Sequence, residues 1–169
     1  MPHNEFILRP ARTSDIVAIQ AMRAPLVDTN VLLQHQLVSL YERVQEFVVA
    51  EHRDGHILAA GALHVMWGDL AEIRSLVVDG SARGMGLGKA IVEGLIERAY
   101  TLGIRRVFCL TFEVDFFSKC GFESISDVPV DEATFAQMVE STDDGIAEFL
   151  DLARVKQNTL GNTRMLRLL

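Results

Sequence analysis

The spacing of apolar positions changes several times along the chain, and each change marks an element. "FILRPA" reads as a short first strand, and in "TSDIVAIQAMRA" Thr13 or Ser14 caps a helix whose Ile16, Ile19 and Met22 recur at helical spacing. Pro25 is expected to end that helix. Leu33, Leu37, Leu40, Tyr41 and Val44 fall at three- and four-residue intervals and predict a second helix over about 31–44. "EFVVAEH", "HILAAGALHVMW" and "LAEIRSLVVD" are β-type runs separated by an "RDG" turn and a Gly-Asp break. Connections that short predict an antiparallel meander.

After the glycine-rich "RGMGLGK", Ile91, Leu95, Ala99 and Leu102 define a helix that closes at Gly103, and "RRVFCLTF" is a strongly apolar strand. Strand, helix and strand in that order imply a right-handed crossover and parallel pairing. The remainder reads as a short helix "VDFFSKC", a strand after Gly121, a helix from near Asp131 with Phe135 and Met138 inward, and a terminal strand "TRMLRLL". The stretch 143–161 has no clear period. No linker composition interrupts the pattern, so the expectation is one mixed α/β domain over residues 1–169.

Composition narrows the function classes. Apolar residues make up 49% of the 169 and charged residues 23%, which excludes disorder. A formal charge of −7, with Arg105–Arg106 as the only dense basic cluster, argues against nucleic acid as a partner. The start "MPHNEFILRP" lacks a basic region followed by an apolar one, and the longest apolar run is too short for a bilayer. No membrane association is therefore expected, and a cytoplasmic location is. Cys109 and Cys120 read as reduced thiols. His52 and His56 flank an Asp-Gly turn rather than sharing a helical face, so no metal site is expected.

Two familiar phosphate loops fail against Arg83–Lys89. A Walker A loop needs Gly where Arg83 stands and Ser or Thr where Ala90 stands. A dinucleotide fingerprint would put its third glycine at Lys89 or Ile91. What remains is a strand, a glycine loop and a helix start, where unshielded N–H groups converge at the positive end of a helix and suit a pyrophosphate. The plain alternative is a glycine-rich turn before a core helix.

"RGMGLG" at 83–88 follows the strand "EIRSLVVD" and precedes a helix, a strand and "FFSKCGF". This order resembles the acetyl-CoA signature of the GNAT superfamily of N-acetyltransferases. "LAEIRSLVVD", "RRVFCLTF", "FFSKCGF" and "GNTRMLRLL" are similar to the acetyltransferase domain of N-acetylglutamate synthases, particularly their short stand-alone actinobacterial form. The resemblance implies a splayed mixed sheet flanked by helices, with acetyl-CoA as cosubstrate, its pantetheine arm in the splay and no metal. Leu76, Val77 and Val78 would offer backbone groups to the arm. Arg83, Gly84, Met85, Gly86, Leu87, Gly88 and Lys89 would hold the pyrophosphate, and Phe117 would lie beside the cofactor where the family usually has a tyrosine acid.

By the same resemblance Glu72 would be the general base, the alternative being an ion pair with Arg74 on the same strand face. Glutamate carries two carboxylates and calls for a rigid cationic fork, which Arg74 would supply, with Asn162, Thr163 and Arg164 as a second group. The expected reaction is acetylation of an amino acid, L-glutamate to N-acetylglutamate, at the head of arginine biosynthesis. The alternatives are acetyl transfer to another amino acid or small amine, or a cofactor-binding sensor without turnover. A homodimer is left open.

Overall fold

In the computed structural model, residues 5–150 and 161–169 are described. They form one domain around a seven-stranded mixed sheet: β1 (Phe6–Pro10), β2 (Phe47–His52), β3 (Ile57–Trp67), β4 (Leu70–Val78), β5 (Arg106–Thr111), β6 (Glu123–Ser124) and β7 (Thr163–Leu168), in spatial order β1-β2-β3-β4-β5-β7-β6. β1 to β4 form the antiparallel meander that the short connections require. β4 and β5 are parallel, joined by a crossover through α3 (Leu87–Leu102). β7 runs antiparallel between β5 and β6.

α3 buries Ile91, Leu95 and Ala99 against the sheet, all at 0% exposure, and truncating Leu95 to Ala should cost about 2–5 kcal/mol. Leu102, expected on the same face, is 52% exposed, because the helix is ending there and Ile104 takes over the core position. The other face is covered by α1 (Ile16–Asp28) and α2 (Leu37–Glu42), which pack Ile16, Ile19 and Leu40 over Val49, Ala60 and Val77. A third cluster joins Phe108 and Leu70 to α5 (Glu132–Met138) and α6 (Asp144–Phe149). The short helix α4 is Val114–Lys119.

Two boundaries differ from the sequence expectation. Pro25 lies inside α1 rather than after it. Its missing N–H costs only one bond in the last turn, and its own carbonyl accepts from the backbone and hydroxyl of Thr29. The second helix starts at Leu37, not near Val31, because the N–H groups of Val31 and Leu32 fold back on the Leu26 carbonyl and the Leu33 carbonyl accepts a 2.7 Å bond from Arg23 Nη2. Within 143–161, Asp143 caps α6 by accepting from the Ile146 N–H, and 151–160 lie outside the described residues. No helix among the described residues is long and apolar enough to cross a membrane.

Candidate active site

β4 and β5 pair only at Leu70–Arg106, Ala71–Val107 and Glu72–Phe108 and then part. Beyond Glu72, the β4 edge that faced β5 has no partner strand among the described residues, while the opposite edge stays paired to β3 as far as Val78. Into this opening runs a cavity of about 460 Å³, bounded by Glu72, Arg74, Leu76 and Val78 on one side and by Cys109 and Thr111 on the other. One end reaches Arg83 and Gly88 of the glycine loop, and the other reaches Arg23, His35 and Glu148.

At the loop end, Gly84 and Gly86 hold φ of 81° and 76°, left-handed values that a side chain resists, and Gly86 is the residue before α3. A Cβ at either position would meet no atom within 4 Å, so the space above the loop is open. The N–H groups of Gly84, Gly86 and Gly88 have no backbone acceptor among the described residues and lie at the positive end of a 16-residue helix. Arg83 and Lys89 are exposed on the rim, Met85 is exposed, and Leu87 is buried as the first core residue of α3. A diphosphate fits these donors.

At the other end sits a connected set of charges. Arg74 Nε and Nη2 donate to Glu72 Oε2 at 3.1 and 2.6 Å, while Nη1 and Nη2 donate to Asp143 at 3.0 and 2.9 Å. The fork that the sequence assigns to the acceptor is thus engaged by two carboxylates of the chain itself. Arg43 reaches Asp143 at 3.1 Å. Burial raises the Glu72 carboxyl above the usual range, against the pull of Arg74. Burial also opposes ionisation of Asp143, but the hydrogen bonds and charge of Arg74 outweigh it and hold that carboxyl well below the usual range.

Arg23 is the residue that the helical period hid. It occupies a position on the buried stripe of α1 with Ile16 and Ile19 and is 2% exposed. Its Nε donates to Ser75 Oγ at 3.0 Å and its Nη2 to the Leu33 carbonyl, and it makes no ion pair among the described residues. Burial, with Arg43 and Arg74 nearby, lowers its pKa to about 10, so it remains a cation at neutral pH. A charged residue on an apolar stripe was the available signal. Burial and the same arginines push the His35 imidazole down to about 4, which keeps it neutral.

Other expected residues are spread more widely. Asn162 Nδ2 donates to Glu148 of the cavity wall at 2.7 Å. Thr163 and Arg164 pair with Thr111 and Leu110 and do not line the cavity. Arg164 Nε is buried with no partner among the described residues. Phe117 lines the cavity and packs edge-on against Phe116 and Phe122, offering no proton. The Cys109 thiol is pushed up by burial, and Cys120 is raised for the same reason, so neither is a ready thiolate.

The Acetyltransferase (GNAT) family model matches residues 20–122. The chain is 51% identical to an amino-acid acetyltransferase of Mycobacterium tuberculosis, over 96% of this chain and 94% of that one. A crystal structure of Rv2747 from Mycobacterium tuberculosis in complex with CoA and NLQ superposes with a TM-score of 0.92 at 50% identity, covering 96% of this chain and 99% of that one. N-acetylglutamate synthase from Neisseria gonorrhoeae, complexed with coenzyme A and N-acetyl-glutamate, matches with a TM-score of 0.78 at 25% identity, over 97% of this chain and 35% of that one.

Proposed function

Since this chain belongs to the acetyltransferase (GNAT) family, we propose that it transfers the acetyl group of acetyl-CoA to the α-amine of an amino acid, with L-glutamate as the preferred acceptor. The observation that carries this reading is one cavity with an unpaired strand edge and a diphosphate-shaped loop at one end. At its other end lies a buried carboxylate beside a buried arginine that has no ion pair among the described residues.

The backbone of Leu76, Val77 and Val78 continues β4 past the splay, where an extended pantetheine arm would bond as a strand does. The Arg83–Lys89 loop would take the pyrophosphate. That arrangement brings the thioester towards Glu72. An ammonium group is not a nucleophile, so an acceptor amine must lose a proton before attack. Glu72, raised by burial, is the base that the cavity offers, directly or through water. Arg74, held by Asp143, keeps Glu72 oriented. Attack by the amine forms the C–N bond, the C–S bond breaks, the nitrogen gives its second proton to water, and the thiolate takes a proton from water, since Phe117 has none to give.

Arg23 takes the carboxylate-binding role that the sequence gives to Arg74. A buried guanidinium without a counter-charge is costly unless an anion completes it, and a dicarboxylic amino acid brings two. Asn162, bonded to Glu148 of the cavity wall, would bound the acceptor from the β7 side. The product N-acetylglutamate would feed arginine biosynthesis, in a cytoplasmic setting that suits the unpaired Cys109 and Cys120.

The test is a panel of amino acids and amines with acetyl-CoA, following free thiol and identifying the product by mass. Glutamate should give the highest kcat/KM. A polyamine or an aromatic amine far ahead of every amino acid would overturn the assignment, and binding of acetyl-CoA without thiol release on any amine would reduce the protein to a sensor.

A further inference from the structure

Strand β4 contains one residue that does not belong in a strand by its backbone. Ser75 has φ of 54°, in the left-handed region, and is 5% exposed. The register with β3 shows why: Ala60 faces Val77 while Ala62 faces Arg74, so β4 carries one residue more than β3 across this step, a bulge. Opposite it stands Gly61, where a Cβ would fall 2.6 Å from Ile91 Cγ2, so β3 is pressed tightly against α3 at the bulge. Left-handed backbone favours glycine or asparagine, and a serine is held there against its preference.

The serine hydroxyl has a partner that glycine would lack. Ser75 Oγ accepts from Arg23 Nε at 3.0 Å, and the same guanidinium donates through Nη2 to Leu33 O at 2.7 Å. One bond ties α1 to the bulge, and the other ties it to the segment at 31–36. Nη1 is left with no partner among the described residues, and the guanidinium lines the cavity.

We propose that Ser75 is a positioning residue for acceptor recognition. Its hydroxyl fixes the rotation of the Arg23 guanidinium, so the geometry of the acceptor fork and of the strand that flanks the thioester are set by one hydrogen bond. The proposal rests on Arg23 as the carboxylate-binding residue. It adds that the bulge keeps a side chain at the left-handed position because that side chain orients the fork.

Ser75→Gly separates the two roles, since it relaxes the backbone and deletes the hydroxyl. The KM for L-glutamate should rise about tenfold, with kcat and the Kd for acetyl-CoA changed by less than about twofold. In an Arg23→Ala background the same change should add nothing, because the bond it removes is already gone. Ser75→Ala, which also lacks the hydroxyl but keeps a Cβ, should show the same rise in KM together with a lower melting temperature, and it serves if the glycine variant folds poorly. An unchanged KM in Ser75→Gly or Ser75→Ala, alongside a raised KM in Arg23→Ala, overturns the positioning role and leaves Arg23 in place. An unchanged KM in Arg23→Ala overturns both.

Discussion

Arg74 and Asp143 meet through hydrogen bonds of 3.0 and 2.9 Å across 69 residues of sequence. The contact joins the middle of β4 to the residue that caps α6, and Asp143 Oδ1 also accepts from the Ile146 N–H at 2.9 Å. A single carboxylate therefore starts a helix and occupies an arginine of the cavity wall. Gly145 fits the same contact, because a Cβ there would collide with Arg74 Nη2.

Asp143→Asn should cost about 1.5–3 kcal/mol at neutral pH, the range for a hydrogen bond to a charged group. The sign of its pH dependence follows from the depressed carboxyl. Asp143 stabilises the fold above the unfolded carboxyl value, about 3.9, and this contribution fades as pH falls towards the folded value. Urea midpoints of parent and variant should differ most near pH 7 and converge below about pH 4. A gap that does not narrow with acid would assign the effect to capping alone.

Glu72→Gln should lower turnover by about 10²-fold with acetyl-CoA affinity little changed. In the parent, activity requires the ionised carboxylate, so kcat/KM should fall as pH drops through a value above the ordinary Glu range of about 4.3. The variant should lose that acid limb. Arg74→Ala should move it to higher pH, because the charge that favours ionised Glu72 is gone. Parent-like profiles in both would make Glu72 a structural partner of Arg74.

Gly86→Val puts a branched side chain into the open space over the loop at a φ of 76°. The fold should survive, with a strain of about 1–2 kcal/mol. Calorimetric titration should show acetyl-CoA binding weakened severalfold or more. Unchanged affinity would remove the loop from the cofactor site.

Arg23→Ala should reduce kcat/KM for glutamate about ten- to a hundredfold, and Arg23→Lys should recover part of it, since the charge returns without the fork. Comparison with glutamine identifies the carboxylate. A loss confined to glutamate places Arg23 at the side-chain carboxylate, whereas equal losses place it at the α-carboxylate. Arg74→Ala with a raised glutamate KM and an unmoved pH profile would return the fork to Arg74.

The meander, the glycine loop and the helix over Ile91, Leu95 and Ala99 were legible because each depends on spacing within one stretch of chain. Glu72 and Arg74 were paired by strand period alone, and the pairing is present at 2.6 Å. Arg23 was not legible as a site residue, because a helical period records an apolar face and takes no account of a cation whose partners are a hydroxyl and a carbonyl. Asp143 stayed hidden because its partner lies across the fold. The late start of α2 was missed for a related reason: the carbonyl that would extend it is held by Arg23.

The short pairing of β4 with β5 has a further consequence for the solubility of the ligand-free chain. An unpaired strand edge at the rim of a sheet invites a strand from another molecule and so invites aggregation. Here the unpaired edge lies inside the sheet, with β3 behind it and β5 and β7 across the gap. An incoming polypeptide strand would have to bring side chains above and below its plane into that gap, whereas a pantetheine arm carries almost none. Placed between strands and not at the rim, such an opening favours a slender ligand over a neighbouring chain on the same backbone groups.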